Sequence, residues 1–209
     1  MKLRIRMALA LVAGTLAVTT SGRAQSTAPS GVHLAPGQWA VDGSIGFAVP
    51  VGDYGTFLST GLDLMGAAEY RPSSSPFYFR GEVGYSHFGG SCGFGVDCGS
   101  SNVLRIDADA LYDFPLQNTK LNVYALGGVG LYHVTAGADV CAVVNGVAIS
   151  CSTSSTGFGI NLGGGIRYPV NPVQLFFELR YHLALTGPGG LSDAPFFPFQ
   201  FGVRYPLPR

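Results

Sequence analysis

Charged side chains at alternate positions are the residues of this sequence with the clearest chemical potential. Arg80 is followed two residues later by Glu82, and Arg105 is followed at the same spacing by Asp107. A spacing of two puts side chains on one face of a β-strand. The whole set predicted for that face holds five arginines and six acids: Asp42, Asp63, Arg80, Glu82, Arg105, Asp107, Asp109, Arg167, Glu178, Arg180 and Arg204.

Three kinds of chemistry are open to such a set. If the charges are enclosed, they must pair, because an unpaired buried charge costs several kcal/mol, on the order of 3–5. A salt-bridged filling is therefore the favoured interpretation, and a narrow ion path through the same charges is the alternative. Paired carboxylates acting as general acid and base would need a cleft, and the sequence implies none.

His182 is the histidine nearest to this set, since it follows Glu178 and Arg180 on the same face. A lipid-hydrolysing enzyme would need a serine that a histidine activates. If the opposite face of the strands met lipid, such an enzyme would need its serine on that face. No nearby pattern supplies one there. The other three histidines lie before the first strand or at the bases of loops: His33, His87 and His133. We expect no enzymatic activity and no catalytic residues.

The four cysteines lie two in each of two long links between strands. Four cysteines allow three pairings. Closing a short loop costs the least entropy, so we expect disulfides Cys92–Cys98 and Cys141–Cys151 in an oxidising compartment. The histidines are not clustered near them, so we expect neither a metal nor a cofactor.

Eight segments of alternating pattern must position these residues, at 38–50, 57–71, 76–88, 102–115, 119–133, 157–169, 172–185 and 196–206. The face opposite the charges is apolar or small in all eight, for example Leu62 and Leu64 in the second segment and Phe199 and Phe201 in the eighth. The predicted fold is all-β: a transmembrane antiparallel up-and-down β-barrel of eight strands. A soluble barrel is the competitor, but only 11% of the residues are charged, against about 25% in an average protein.

The N-terminus has the order of a secretory signal peptide. A basic start (Lys2, Arg4 and Arg6) precedes the apolar stretch 7–18, and small residues lead to Ala24. We therefore divide the chain into a signal peptide at 1–24, a flexible periplasmic lead-in at 25–36 and the barrel at 37–209. Without the signal's four basic residues the net charge is about −4, so we expect no nucleic-acid partner.

Aromatic residues and connection lengths orient the predicted barrel. Short links alternate with long ones, and bacterial barrels have short periplasmic turns and longer outer loops. The strand ends near the short links carry rings that would form a periplasmic aromatic girdle: Trp39, Tyr70, Phe77, Tyr112, Tyr168 and Tyr205. The long link at 134–156 contains Asn145-Gly146 between β-branched runs, which predicts a hairpin ribbon above the membrane.

Several segments resemble the eight-stranded outer-membrane β-barrel superfamily, the OmpA-type transmembrane domain and its relatives. These are 124–132 (YALGGVGLY), 157–168 (GFGINLGGGIRY) and the final strand 199–205 (FQFGVRY). The resemblance implies the cell outer membrane as location, outer-membrane lipid and lipopolysaccharide as surroundings, and the barrel-assembly machinery as a partner. Two departures are that Pro206–Arg209 follow the last aromatic residue, and that no peptidoglycan-binding domain is present.

Three functions follow as expectations. We favour a structural or surface-interaction barrel that contacts a surface ligand or host protein through disulfide-stapled loops. A narrow pore or a carrier for small or apolar molecules is the alternative. A lipid A-modifying enzyme is the third class.

Overall fold

Eight antiparallel strands form a closed barrel in the computed structural model, with each strand hydrogen-bonded to the next and β8 to β1. The structure describes residues 33–72, 74, 76–90, 99–114, 116, 120–144, 147–185 and 193–209, with the backbone alone over 138–144 and 147–150. The strands are β1 (Gln38–Pro50), β2 (Gly61–Arg71), β3 (Phe77–Gly89), β4 (Ser100–Phe114), β5 (Asn122–Val144), β6 (Val147–Val170), β7 (Val173–Leu185) and β8 (Ala194–Pro206). The predicted all-β, up-and-down, eight-stranded fold is confirmed.

The alternation of the sequence appears directly as alternation of burial. In β3, exposed and buried residues alternate without a break over its first twelve residues. Phe79, Val83 and Tyr85 point outward, whereas Arg80 and Glu82 are almost fully buried. The apolar side chains are therefore on the outer wall and the charged ones are in the lumen, the reverse of a soluble barrel.

The two ends of the barrel differ in their connections. We call the end with Pro50, Gly89 and Leu185 the long-loop end, and the end with Gln38 and Val170 the short-turn end. At the short-turn end β6 passes into β7 through Asn171 and Pro172, which are joined by a cis peptide bond. No helix in the described ranges is long and apolar enough to cross a membrane.

Strands β5 and β6 extend well beyond their neighbours, with 23 and 24 residues against 11 to 15 in the other six. Their pairing continues to Val144↔Val147, with a register shift between Ala138 and Ala142. The sequence prediction ended the fifth strand at 133 and began the sixth at 157, with a hairpin ribbon above the membrane between them. In the structure the two strands themselves continue into this segment, because the pairing of 134–138 with 151–155 leaves no break. Its turn residues Asn145 and Gly146 lie outside the described residues.

The segment before β2 also differs from the prediction, which began the second strand at 57. Residues Tyr54–Phe57 form a short helix, α1, and Leu58 makes an isolated bridge to Gly90. This segment turns over the long-loop end because Tyr54 and Leu58 pack against buried aromatic residues there.

The lead-in predicted to be flexible over 25–36 contacts the barrel over its last four residues. Leu34 is 1% exposed, and its carbonyl oxygen accepts a hydrogen bond from Arg71. The His33 ring lies 3.0 Å from Asp113. The segment therefore covers the short-turn end from His33 onward, while residues 25–32 lie outside the described part of the chain.

Candidate functional site

The lumen is the part of the molecule where ionisable side chains are brought together. All eleven residues predicted for it have buried side chains, and each arginine lies within 4 Å of at least one acid. Two further acids, Glu69 and Asp113, join them. In the described residues the lumen thus holds five arginines and eight acids.

Glu69 on β2 is the centre of the cluster nearest the short-turn end. Its Oε1 accepts hydrogen bonds from Arg80 at 2.6 Å and from Arg167 at 2.8 Å. Its Oε2 is paired with Arg204. The carboxylate is fully buried, so this one side chain links strands β3, β6 and β8 to β2.

Glu178 on β7 is the centre of the middle cluster. Its Oε2 accepts hydrogen bonds from Arg80 Nη1 at 2.8 Å and from the hydroxyl of Tyr124 at 2.6 Å. Its Oε1 is paired with Arg180. Arg180 in turn bonds Asp109 at 3.1 Å and is paired with Glu82. Arg80 therefore joins this cluster to that of Glu69.

Asp63 on β2 organises the third cluster, toward the long-loop end. Arg105 binds it with two nitrogens, at 2.8 and 3.1 Å. Ser86 donates to the same carboxylate at 2.6 Å, and Gln200 donates to it as well. A fork of this kind fixes both position and orientation of the guanidinium. Asp107 is held more loosely, with Oδ2 3.6 Å from Arg105 Nε.

Asp42 on β1 is also loosely held. Its oxygens lie 3.7 Å from Arg80 and 3.8 Å from Arg204, beyond hydrogen-bond distance. Asp113 on β4 is more firmly bound, since Arg167 donates to it at 2.9 Å. With these two acids included, every strand but β5 contributes a charged group to the network, as far as its side chains are described.

Sequence reasoning left out Glu69 and Asp113, although the signal for both was present. Glu69 is an even number of residues from Asp63 along β2, and Asp113 is an even number from Asp109 along β4, so each lies on the same face as its predicted neighbour. Sequence reasoning also missed three tyrosines that point into the lumen, although their alternate spacing places them on the inward face: Tyr78, Tyr124 and Tyr132. Rings of this set pack on the arginines, most closely at Arg167, which lies 3.9 Å from the Tyr124 ring centroid.

A cluster of apolar side chains lies at the long-loop end of the lumen. This long-loop layer consists of buried residues from strands of the barrel wall, with two residues of the α1 segment packed on it: Ala48, Phe88, Val103, Tyr132, Val134, Ala184, Ala194, Phe196, Tyr54 and Leu58. Phe88 and Phe196 meet edge to face at 5.7 Å. Tyr54 bonds Ser101 at 2.8 Å. Burial raises the pKa of Tyr54 to about 12, so this hydroxyl stays protonated at neutral pH.

A second apolar layer lies toward the short-turn end. This short-turn layer is formed by Leu34, Ala40, Tyr78, Leu111, Tyr124 and Leu126. Leu34 comes from the lead-in and not from a strand, so the layer is completed by chain that precedes the barrel. Most of the ion pairs lie between the two layers. The pair of Arg167 and Asp113 lies on the short-turn side of Leu111 and Tyr124, where Asp113 also contacts the His33 ring.

His182 is fully buried at the boundary of the network and the long-loop layer. Its Nδ1 is 2.8 Å from the Tyr132 hydroxyl, and its ring stacks on Phe196 at 5.0 Å. These partners hold the ring in a packed position inside the wall. No group of three or more potential ligand side chains in the described residues is arranged to hold a metal ion.

The predicted girdle residues all lie on the outer wall near the short-turn end. Trp39 and Tyr70 face each other across β1 and β2 at 4.7 Å, and Phe77 and Tyr112 do so across β3 and β4 at 5.2 Å. Tyr168 and Tyr205 stand at the same ends of β6 and β8.

The predicted disulfides are only partly within the described residues. Cys92 and Cys98 lie outside them, and of Cys141 only the backbone is described. Cys151 is on β6, and no cysteine of the described part is a free thiol. Both pairings stay predictions.

Several solved structures share this fold. Neisserial surface protein A is 20% identical, with a TM-score of 0.58 over 80% of this chain and 96% of that one. A major outer membrane protein of Thermus thermophilus is 18% identical, with a TM-score of 0.55 over 81% and 98%. OprG of Pseudomonas aeruginosa is 11% identical, with a TM-score of 0.50 over 83% and 97%.

No curated protein shows a recognisable sequence relationship to the chain. The model of the outer membrane protein beta-barrel domain family matches residues 9–205. This match covers the strands, the lumen network and both apolar layers. With an apolar wall outside and ion pairs within, the chain belongs to the outer-membrane β-barrel domain family and is a protein of the cell outer membrane.

Proposed function

We propose that this protein is a closed, non-conducting barrel that acts at the cell surface through the β5–β6 ribbon and its neighbouring loops. In this proposal the short-turn end faces the periplasm and the long-loop end faces outward. The outer wall contacts outer-membrane lipid and lipopolysaccharide, and the barrel-assembly machinery inserts the chain. The protein has no catalytic residues.

The two apolar layers carry the proposal that the lumen does not conduct. An eight-stranded barrel has an interior just wide enough for side chains to fill. At the long-loop end Phe88 and Phe196 are fully buried and pack against each other, and in this proposal they obstruct the axis. At the short-turn end Leu34 and Tyr78 do the same. An ion would have to cross both layers and displace the ion pairs between them.

The ion-pair network then has a structural role. Glu69, Glu178 and Asp63 each tie strands that are not neighbours in the barrel. Such cross-links hold opposite walls at a fixed distance. In a low-dielectric interior each pair is strong, and loss of one partner is costly.

The surface role is supported by the ribbon. Strand β5 continues for seven residues beyond Gly137, its last residue paired with β4, and β6 has eleven residues before Phe158, its first residue paired with β7. Each residue adds a rise of about 3.3 Å. The described side chains at its base on β6 are mostly exposed and rich in hydroxyl groups, from Ser152 to Thr156. A rigid polar projection of this kind suits recognition of a surface ligand or host protein.

We include the disulfides in this proposal. The register pairs Ala138 with Cys151 and Ala142 with Ile149, so the backbones of Cys141 and Cys151 lie on adjacent strands near one another. A bond there would close the ribbon and fix its register. Cys92–Cys98 would close the loop between β3 and β4, and both would reduce the entropy lost on binding a partner.

Planar-bilayer recording of the refolded protein tests the closed lumen. The expected result is no stable conductance step for the wild type. Steps that change with Arg105→Gln or Glu82→Gln would favour the narrow pore instead, because these side chains lie in the middle of any axial path.

An epitope inserted between Asn145 and Gly146 tests the orientation. An antibody should label this tag on intact cells. The same tag between Asn171 and Pro172, at the short-turn end, serves as the control and should be labelled only after permeabilisation. Labelling in the opposite order would overturn the proposed topology.

Deletion of residues 139–153 tests the interaction itself. Cells that display the full chain should adhere to a cultured epithelial monolayer more than cells that display the deletion. Equal adherence by the two, at equal surface amounts, would remove the ribbon from the proposal.

A further inference from the structure

Four adjacent strands carry a polar residue just above the apolar outer wall at the long-loop end. On β3 and β5 these residues follow the last apolar outward residues, and on β4 and β6 they precede them. We call the four residues the rim patch: His87, Asn102, His133 and Thr156. The register places His87 opposite Asn102 and His133 opposite Thr156. Between β4 and β5 it pairs Asn102 with Thr135 and Leu104 with His133, so the two halves of the patch are diagonal neighbours, offset by two residues.

The rim patch is organised by hydrogen bonds on the outside of the barrel. Asn102 Oδ1 accepts from the Tyr85 hydroxyl at 2.6 Å and lies 2.7 Å from His87 Nδ1. His133 Nδ1 lies 2.7 Å from the Thr156 hydroxyl. All these contacts are exposed. His133 Nε2 also lies 3.4 Å from the Thr135 hydroxyl. The Asn102 amide N–H groups and His87 Nε2 have no partner among the described residues.

A shallow groove lies directly below the rim patch on the same strands. It has a volume of about 250 Å³ and is lined on the wall side by Ile106, Ala108, Val129, Leu131 and Phe158. Leu131 pairs with Phe158, and on the outer face this pair is next to that of His133 and Thr156. The small side chain of Ala108 leaves space between larger neighbours. The ring of Phe158, which is 74% exposed, forms one side of the groove. We call this feature the wall groove.

We infer that the wall groove and the rim patch together bind one outer-leaflet glycolipid. An acyl chain lies in the groove, and the sugar hydroxyl groups of the headgroup contact the rim patch. The groove is smaller than the roughly 300–1,000 Å³ of typical small-molecule pockets, so it accommodates part of a chain and not a whole ligand. This site is on the membrane-embedded wall. It rests on the proposed orientation, with the long-loop end outward, but does not involve the ribbon.

The chemistry of the rim patch selects a sugar over a phosphate alone. The patch contains no lysine or arginine, and the basic side chains of the described residues that lie outside the lumen are at the other end, at Arg71, Lys120 and Arg209. Imidazole, amide and hydroxyl groups offer both donors and acceptors. A sugar hydroxyl likewise donates and accepts, whereas a phosphate only accepts and favours charged donors.

Native mass spectrometry of the detergent-solubilised protein tests the site. The probes are purified lipid A, which has a sugar headgroup, and phosphatidylethanolamine, which has none. The wild type should retain lipid A at concentrations roughly tenfold lower than phosphatidylethanolamine, a difference of about 1.4 kcal/mol. Ala108→Leu fills the groove and should lower retention of lipid A, whereas Ala68→Leu, on the outer wall of β2, should not.

The paired change His133→Phe with Thr156→Val tests the headgroup contact separately. It should abolish the preference for lipid A while leaving retention of phosphatidylethanolamine unchanged. Equal retention of the two lipids by the wild type would overturn the inference, as would lipid A retention that neither Ala108→Leu nor the rim change reduces. The electrophoretic shift on heating reports folding of each variant, so a misfolded protein is recognised as such.

Discussion

Glu69 is the side chain on which three of the five lumen arginines converge. Arg80 and Arg167 share its Oε1, and Arg204 takes its Oε2. A buried ion pair is not in itself strong evidence of stability, because desolvation offsets the Coulomb attraction. Removing one partner is different, since the charges that stay behind are uncompensated.

Replacement of this carboxylate should therefore destabilise the barrel strongly. Glu69→Gln keeps the volume but takes one negative partner from each of three arginines, and Arg204 then keeps only Asp42 among the described acids, at 3.8 Å. We expect a loss of about 3–5 kcal/mol in the free energy of unfolding, measured by urea titration in lipid vesicles. Asp53→Asn is the control, because Asp53 is exposed and its side chain makes no cap hydrogen bond. An unchanged urea midpoint for Glu69→Gln would show that the arginines find other acids.

Glycines of the barrel strands provide a second test at this scale. A Cβ on Gly163 would lie 2.3 Å from the Leu179 carbonyl oxygen and 2.7 Å from the Arg180 Cα, both of them backbone atoms. Gly163→Ala should lower stability by about 1–3 kcal/mol, the usual range for overpacking. Gly81→Ala is the matched control, since nothing lies within 4 Å of a Cβ there, and it should leave the urea midpoint unchanged. Equal effects of the two would mean that strand propensity, and not the space beside the backbone, decides them.

At the scale of elements, sequence periodicity identified all eight strands and the face that each presents. Alternation is a strong signal here because one face meets lipid and the other meets charges, so a one-residue slip would reverse both. The alternation therefore predicted both the strands and the inward direction of Asp63, Arg105 and Glu178. The charged set was incomplete only because Glu69 and Asp113, of the same parity, were not included.

Other features depend on contacts that periodicity does not report. The helix α1 and Leu58 take their place because Tyr54 and Leu58 pack on the long-loop layer. Strands β5 and β6 are longer than predicted because they stay paired with each other beyond Gly137, the last β5 residue that pairs with β4. Leu34 completes the short-turn layer from a segment that has no strand pattern at all.

The docking of that segment leads to a third prediction. Leu34→Ala should lower the free energy of unfolding by about 2 kcal/mol, at the lower end for a buried leucine because the segment can detach. Amide exchange should quicken at Gln38, whose N–H donates to the Ala35 carbonyl at 3.0 Å. Hydrogen–deuterium exchange measures this, with Leu116→Ala as the control because Leu116 is 49% exposed. No change in exchange at Gln38 would mean that Leu34 does not hold the segment.

At the scale of the whole molecule, one distribution of side chains explains both the fold and its location. The lumen holds buried charges and two apolar layers, and the wall exposes large apolar residues over the whole height of the strands. In water this wall would be a large exposed apolar surface that favours aggregation. In a bilayer the apolar band of such barrels is about 25 Å tall, with aromatic residues at both margins.

The single tryptophan of the chain allows this placement to be measured. Trp39 lies at the start of β1, half exposed on the outer wall beside Tyr70, so in the proposed girdle it sits near the periplasmic headgroups. Phe201 lies in the middle of β8 on the same wall, 57% exposed. In vesicles of brominated lipids, bromines close to the headgroup should quench Trp39 most. In the paired variant Trp39→Phe with Phe201→Trp, bromines near the ends of the acyl chains should quench most, because an indole there faces the bilayer centre. Stronger quenching of Trp39 than of the new tryptophan by the deepest bromines would contradict the girdle and the depth assigned to the barrel.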